Sequence, residues 1–168
     1  MRQVSDGFLL QVAEISAGLV GLFLVGVFFY VEAGAGHADP TVDRYFRASA
    51  RIVLVLYALP IGLSLSLVVL EPIGSRLLFV LLSAALVGAN VDSATHVRTI
   101  AARTGSHLLP VTELVGTLLV VATIAVPWLL GGLHPTREDL TWAILLAFTG
   151  GLLSIYAVVL SAFDLRRG

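Results

Sequence analysis

Apolar residues run along this chain in five long stretches, Gly7–Val31, Arg51–Leu70, Leu77–Val91, Leu108–Leu133 and Leu140–Phe163, divided by short polar breaks. A helix needs about 20 mostly apolar residues to cross a bilayer. All but the third stretch reach that length, and the third does so once Asn90, Asp92 and His96 are counted into its helix. The pattern therefore predicts an all-α, polytopic membrane helical bundle. It has five transmembrane helices at about 7–31, 51–70, 76–98, 108–133 and 139–163, in a single transmembrane domain over residues 1–168.

The breaks carry helix-boundary signals. Gly34, Gly36 and Asp39-Pro40 interrupt the chain after the first stretch. The segment Thr41–Arg47 then reads as a short amphipathic helix at the interface, leading into the second span. Glu71-Pro72-Ile73-Gly74 reads as a turn in which Pro72 ends the second helix. Thr136, followed by Glu138 and Asp139, reads as the N-cap and first turn of the fifth helix. Thr99–Ala102 extends the helical pattern of the third stretch beyond the membrane. The small-residue run Ala33–Ala38 resembles a cleavage region, but the apolar run before it is far longer than a signal peptide's core and is interrupted by Glu14. It is read as a retained helix.

Composition agrees with the pattern. Apolar residues make up 58% of the chain and charged residues 12%, against about 25% charged in a soluble domain. Mean hydropathy is +0.98. With no sizeable hydrophilic domain, function must reside in the bundle, its short loops or a partner. All ten basic residues are arginines, scattered without a basic stripe, so no nucleic-acid partner is expected. There is no cysteine, which excludes disulfides and thiolate chemistry. The Ala, Val, Leu, Arg and Gly bias points to a GC-rich genome and a bacterial inner membrane.

An odd number of spans puts the termini on opposite sides. One side holds Arg2, Arg76 and Arg137; the other holds Arg44, Arg47, Arg51, Arg98, Arg103, Arg166 and Arg167. The positive-inside rule places the richer side in the cytoplasm. The expected topology is N-terminus outside and C-terminus cytoplasmic, with Trp128 and Trp142 as anchors at the outer interface.

Polar residues within the apolar stretches are the candidates for function. Glu14 lies about two turns into the first helix, where an ionised carboxylate costs several kcal/mol unless paired, hydrated or protonated. It is expected to face other helices or water. Ala13, Ala17, Gly18 and Gly21 beside it read as a helix-packing surface, as do Gly88 on the third helix and Gly151 and Ser154 on the fifth. Glu113 stands in the first turns of the fourth helix, with Thr117, Val120 and Thr123 along its face. Asn90, Asp92 and His96 form a third group; Asp92 and His96 are four apart and share a face, yet two ligands do not make a metal site. Arg51 is placed to pair with Asp92 or Glu113. Pro60 and Pro127 interrupt apolar helices and are candidate hinges. Leu9–Ile15 echoes Leu108–Leu114, with Glu14 and Glu113 at matching positions; apolar segments match readily by chance, and the fifth helix has no counterpart.

No phosphate-binding glycine loop, zinc-protease motif or nucleophile elbow is present, and no catalytic residue, cofactor or metal is expected. Two readings follow. In one, the chain is an oligomeric ion or proton channel, or a compact transporter, working through an intramembrane carboxylate. In the other it is a non-catalytic accessory or assembly subunit of a larger membrane complex. The expected partners are the lipid bilayer and either further copies of the chain or another membrane protein.

Overall fold

The computed structural model describes residues 4–34, 40–104, 108–132 and 134–165. They form five helices: α1 (Asp6–Gly34), α2 (Pro40–Val69), α3 (Pro72–Thr104), α4 (Leu108–Gly131) and α5 (Arg137–Leu165). Each contains an apolar span of 19 to 24 residues, long enough to cross a membrane. The span of α3 runs from Pro72 to Thr95 and so includes Asn90 and Asp92.

Local chemistry explains the boundaries. The Ser5 hydroxyl accepts the Phe8 N–H at 3.3 Å, and Asp6 occupies the first turn of α1, a normal N-terminal cap. At the head of α5, the Thr136 N–H and hydroxyl reach Asp139 Oδ2 at 2.8 and 2.7 Å. The Asp139 N–H returns to Thr136 Oγ1 at 3.4 Å, closing the expected cap. Gly132 ends α4 in the left-handed region at φ 58°, and its N–H reaches the Trp128 carbonyl at 2.9 Å.

Two boundaries differ from the sequence pattern. Pro72 opens α3 instead of closing a turn, because a proline at the first helical position loses no hydrogen bond. Residues 40–50 are the first turns of α2 itself, so the chain enters the membrane on one continuous helix without a separate interfacial one.

Helices α2, α3, α4 and α5 form a closed ring in which each packs against its two neighbours, and α1 lies outside it, mainly against α2. Burial is greatest in α2 and α5: 44% and 39% of their spans are buried, against 22% for α3 and 17% for each of α1 and α4. The core is built from Leu56, Leu59 and Leu63 of α2, Phe79 and Leu86 of α3, Val120 of α4, and Ala143, Ile144 and Ala147 of α5. Leu9 joins it from α1. The outer surface is apolar on every helix, with Leu22, Phe28, Val69, Leu81, Leu118 and Leu129 all more than half exposed. An apolar exterior on five helices of this length is the pattern of a multi-pass membrane protein.

The end of the bundle that carries Asp6 is tied by polar contacts. Arg137 at the head of α5 forms an ion pair with Asp6 of α1. Arg76 of α3 donates from Nε to the Pro135 carbonyl at 3.2 Å and lies 3.4 Å from His134 Nδ1. The Ser75 hydroxyl donates to the Ser66 carbonyl at 3.1 Å, fastening the α2–α3 hairpin.

Inside the ring, Tyr57 is fully buried, with its ring edge-on to Phe148 and lying over Gly151. A Cβ added at Gly151 would stand 2.8 Å from the Cζ of this fully buried tyrosine, so the ring would have to shift. Gly151→Ala is therefore expected to destabilise the fold by about 1–3 kcal/mol, the usual overpacking cost, and to lower the thermal midpoint of the purified protein. Pro60 and Pro127 are buried inside continuous helices. Each removes one N–H from its ladder, which neighbouring helices allow in a membrane protein.

Candidate functional site

The intramembrane polar residues separate into two places. The first is the outer face of α1. Its inward residues are Leu9, Ala13 and Ser16, all buried, with Val12, Leu19, Val20, Phe23 and Val27 half-buried. Gly7, Gln11, Glu14, Gly18, Gly21 and Val25 point away from the bundle and are exposed. Their alternate spacing of four and three sets them along one exposed stripe of the helix. Glu14 stands eight residues into the span that starts at Asp6, about 12 Å deep at 1.5 Å per residue. Neither Glu14 nor Gln11 hydrogen-bonds to any described residue.

Ala13, Ala17 and Gly21 do not act as one ladder within the chain. A step of four residues turns about 40° past a full revolution, so Ala13 faces α2 while Gly21 has rotated outward. A Cβ built at Gly18, Gly21 or Gly88 meets nothing within 4 Å. Of the small residues read as packing positions, Ala13 and Gly151 are buried in the chain and Ser154 is half-buried. Ala17, Gly18, Gly21 and Gly88 lie on its outer surface.

The second place lies between α3 and α4, at the end of the bundle opposite Asp6. The Ser93 hydroxyl donates to Glu113 Oε2 at 3.2 Å. One turn deeper, Asn90 Nδ2 and Oδ1 stand 3.4 and 3.5 Å from Thr117 Oγ1. The two helices are antiparallel. Residues three apart on one therefore match residues four apart on the other, and the contacts form a two-rung ladder. The second carboxylate oxygen, Glu113 Oε1, is buried and has no hydrogen-bond partner among the described residues. Further along α4, Val120 is buried and the buried Thr123 hydroxyl turns back to the Leu119 carbonyl at 2.8 Å.

Asp92 points elsewhere. Its Oδ2 pairs with Arg51 Nη1 of α2 at 3.3 Å, as the sequence allowed, and the pair is largely exposed, with relative exposures of 40% and 68%. An ion pair in that setting contributes little to stability, and its place is that of an interface anchor. His96 lies in α3, but its side chain is outside the described residues, as are His37 and His107. Glu14 and Glu113, equivalent in the α1–α4 echo, have different surroundings: one is exposed with no hydrogen bond to a described residue, the other lies between two helices.

Ser93 was not among the residues singled out from the sequence. Asn90 and Ser93, three apart on α3, face Glu113 and Thr117, four apart on α4; only the pairing of these helices joins the two patterns. The Tyr57–Gly151 contact was equally hidden, since neither residue is unusual alone.

No protein-family model matches the sequence, and neither a curated protein nor a solved structure matches it, so the functional reading rests on this geometry.

Proposed function

We propose that the protein is an oligomeric channel or compact transporter for protons or small cations, assembled through the outer face of α1 with Glu14 near the axis. The observation that carries this reading is the position of Glu14: inside a membrane span, on the outside of the single chain, with no hydrogen-bond partner among the described residues. A carboxylate left against hydrocarbon at that depth costs several kcal/mol. Further copies of α1 remove that cost. Across a parallel symmetry axis Glu14 meets Glu14, and Gln11, one turn away on the same face, offers amide donors to the neighbouring carboxyl groups. Gly18 and Gly21 let the backbones approach closely. Carboxyl groups gathered at one axis would attract cations.

The seven-to-three arginine bias supports a cytoplasmic C-terminal side and an external N-terminal side, and the composition supports a bacterial inner membrane. The reading involves no enzymatic step. It is tested by proton and cation flux into liposomes holding the wild type or Glu14→Gln. Flux that depends on Glu14 supports it. Absence of flux from folded, inserted wild-type protein favours the accessory-subunit reading, in which the same face meets a different membrane protein.

A further inference from the structure

The rungs between α3 and α4 are poorly closed for a purely structural contact. Hydrogen bonds between such groups normally measure about 2.7–3.0 Å for hydroxyl donors. Here the carboxylate–hydroxyl distance is 3.2 Å and the amide–hydroxyl distances are 3.4 and 3.5 Å. One buried carboxylate oxygen has no hydrogen-bond partner among the described residues. Buried polar atoms are nearly always satisfied, and an unpaired carboxylate oxygen is among the most costly to leave bare. Arg51, the arginine expected as a possible partner, is engaged with Asp92 instead.

We infer that Glu113, Ser93, Asn90 and Thr117 bind a monovalent cation of sodium size between α3 and α4. The donor set is all oxygen: one carboxylate, two hydroxyls and an amide carbonyl. Hard cations take such ligands, and a single negative charge suits a single positive one, whereas sites for divalent ions gather several carboxylates. The spacings agree in size. Oxygens around an octahedral ion at about 2.3–2.5 Å stand about 3.3–3.5 Å apart, and around one at about 2.1 Å they close to about 3.0 Å. The 3.5 Å separation from Asn90 Oδ1 to Thr117 Oγ1 fits the larger ion, and the 3.2 Å of the Ser93–Glu113 rung lies between the two spacings, nearer the larger. Glu113 begins the α4 span, so the site opens near the membrane surface, with Thr117 one turn inside. It uses no residue of α1 and stands whether or not Glu14 supports flux.

The test is the thermal midpoint of the purified protein in detergent, followed by tryptophan fluorescence, in sodium chloride and in choline chloride at equal ionic strength. Sodium at tenfold excess over its Kd raises the midpoint by about 3–6 °C in the wild type. Glu113→Gln abolishes the rise, and Thr117→Val reduces it. If Glu113→Gln does not fold, Ser93→Ala and Thr117→Val carry the comparison. Equal midpoints in the two salts would overturn the assignment and leave a water or a proton on Glu113. A sodium response kept in Glu113→Gln, or unchanged in both Ser93→Ala and Thr117→Val, would also overturn it.

Discussion

Glu14→Gln is expected to reduce flux through the reconstituted protein by about a hundredfold while leaving the protein folded. Glutamine keeps the size and the hydrogen-bonding reach of the side chain but neither ionises nor exchanges a proton. A carboxylate that stabilises a cation in a poorly solvated path by about 3 kcal/mol accounts for a hundredfold in rate when it is lost. Folding should be spared because Glu14 is exposed on the single chain and hydrogen-bonds to no described residue. The measurement is flux in liposomes at matched protein density, with the thermal midpoint recorded beside it. Unchanged flux in Glu14→Gln would move the path away from α1. A midpoint that falls sharply with the flux would instead assign Glu14 a structural role.

The double substitution Gly18→Leu, Gly21→Leu is expected to dissociate the assembly and leave the monomer intact. Within the chain, a side chain at either position enters open space, since nothing lies within 4 Å of the added Cβ. Leucine is also a better helix former than glycine, so α1 itself should not suffer. Between copies, each leucine would hold the helix axes apart where close packing is the main attraction. At about 1–3 kcal/mol for each overpacked position, subunit affinity should fall by tenfold or more. Light scattering of the detergent-solubilised protein reads the oligomeric state, and the thermal midpoint reads the fold. Gly151→Ala forms the natural contrast, because it damages the fold from inside the ring. An assembly unaffected by two leucines would show that α1 does not form its interface.

The five helices were legible because spanning a membrane imposes length and apolarity on each segment separately. The α5 cap was legible for the same reason: Thr136 and Asp139 act within one turn. The expected pairing of Arg51 with Asp92 followed from two charges at the same end of adjacent spans. The radial position of each helix was not legible. In water, a polar stripe marks the outside of a helix; in lipid both faces are apolar, and Ala13 and Gly18 look alike in sequence although one is buried and the other exposed. Glu14 was expected to face other helices or water, and within the chain it lies on the exposed face of α1. The proposed assembly would supply the facing helices. Likewise the α3–α4 ladder depends on which spans are neighbours, a property of the ring and not of either segment.

The proposed contact of α1 with α1 across its outer face is best tested by disulfide cross-linking in native membranes. The chain has no cysteine, so single cysteines can be introduced without any background. Gly18→Cys lies on the proposed seam, and Leu81→Cys lies on the exposed outer face of α3, where Leu81 is 67% exposed. On mild oxidation Gly18→Cys should form dimers linked at equivalent positions, and Leu81→Cys should stay monomeric. Cross-linking at position 81 without any at position 18 would contradict the account and assign the outer face of α1 to lipid or to a different protein.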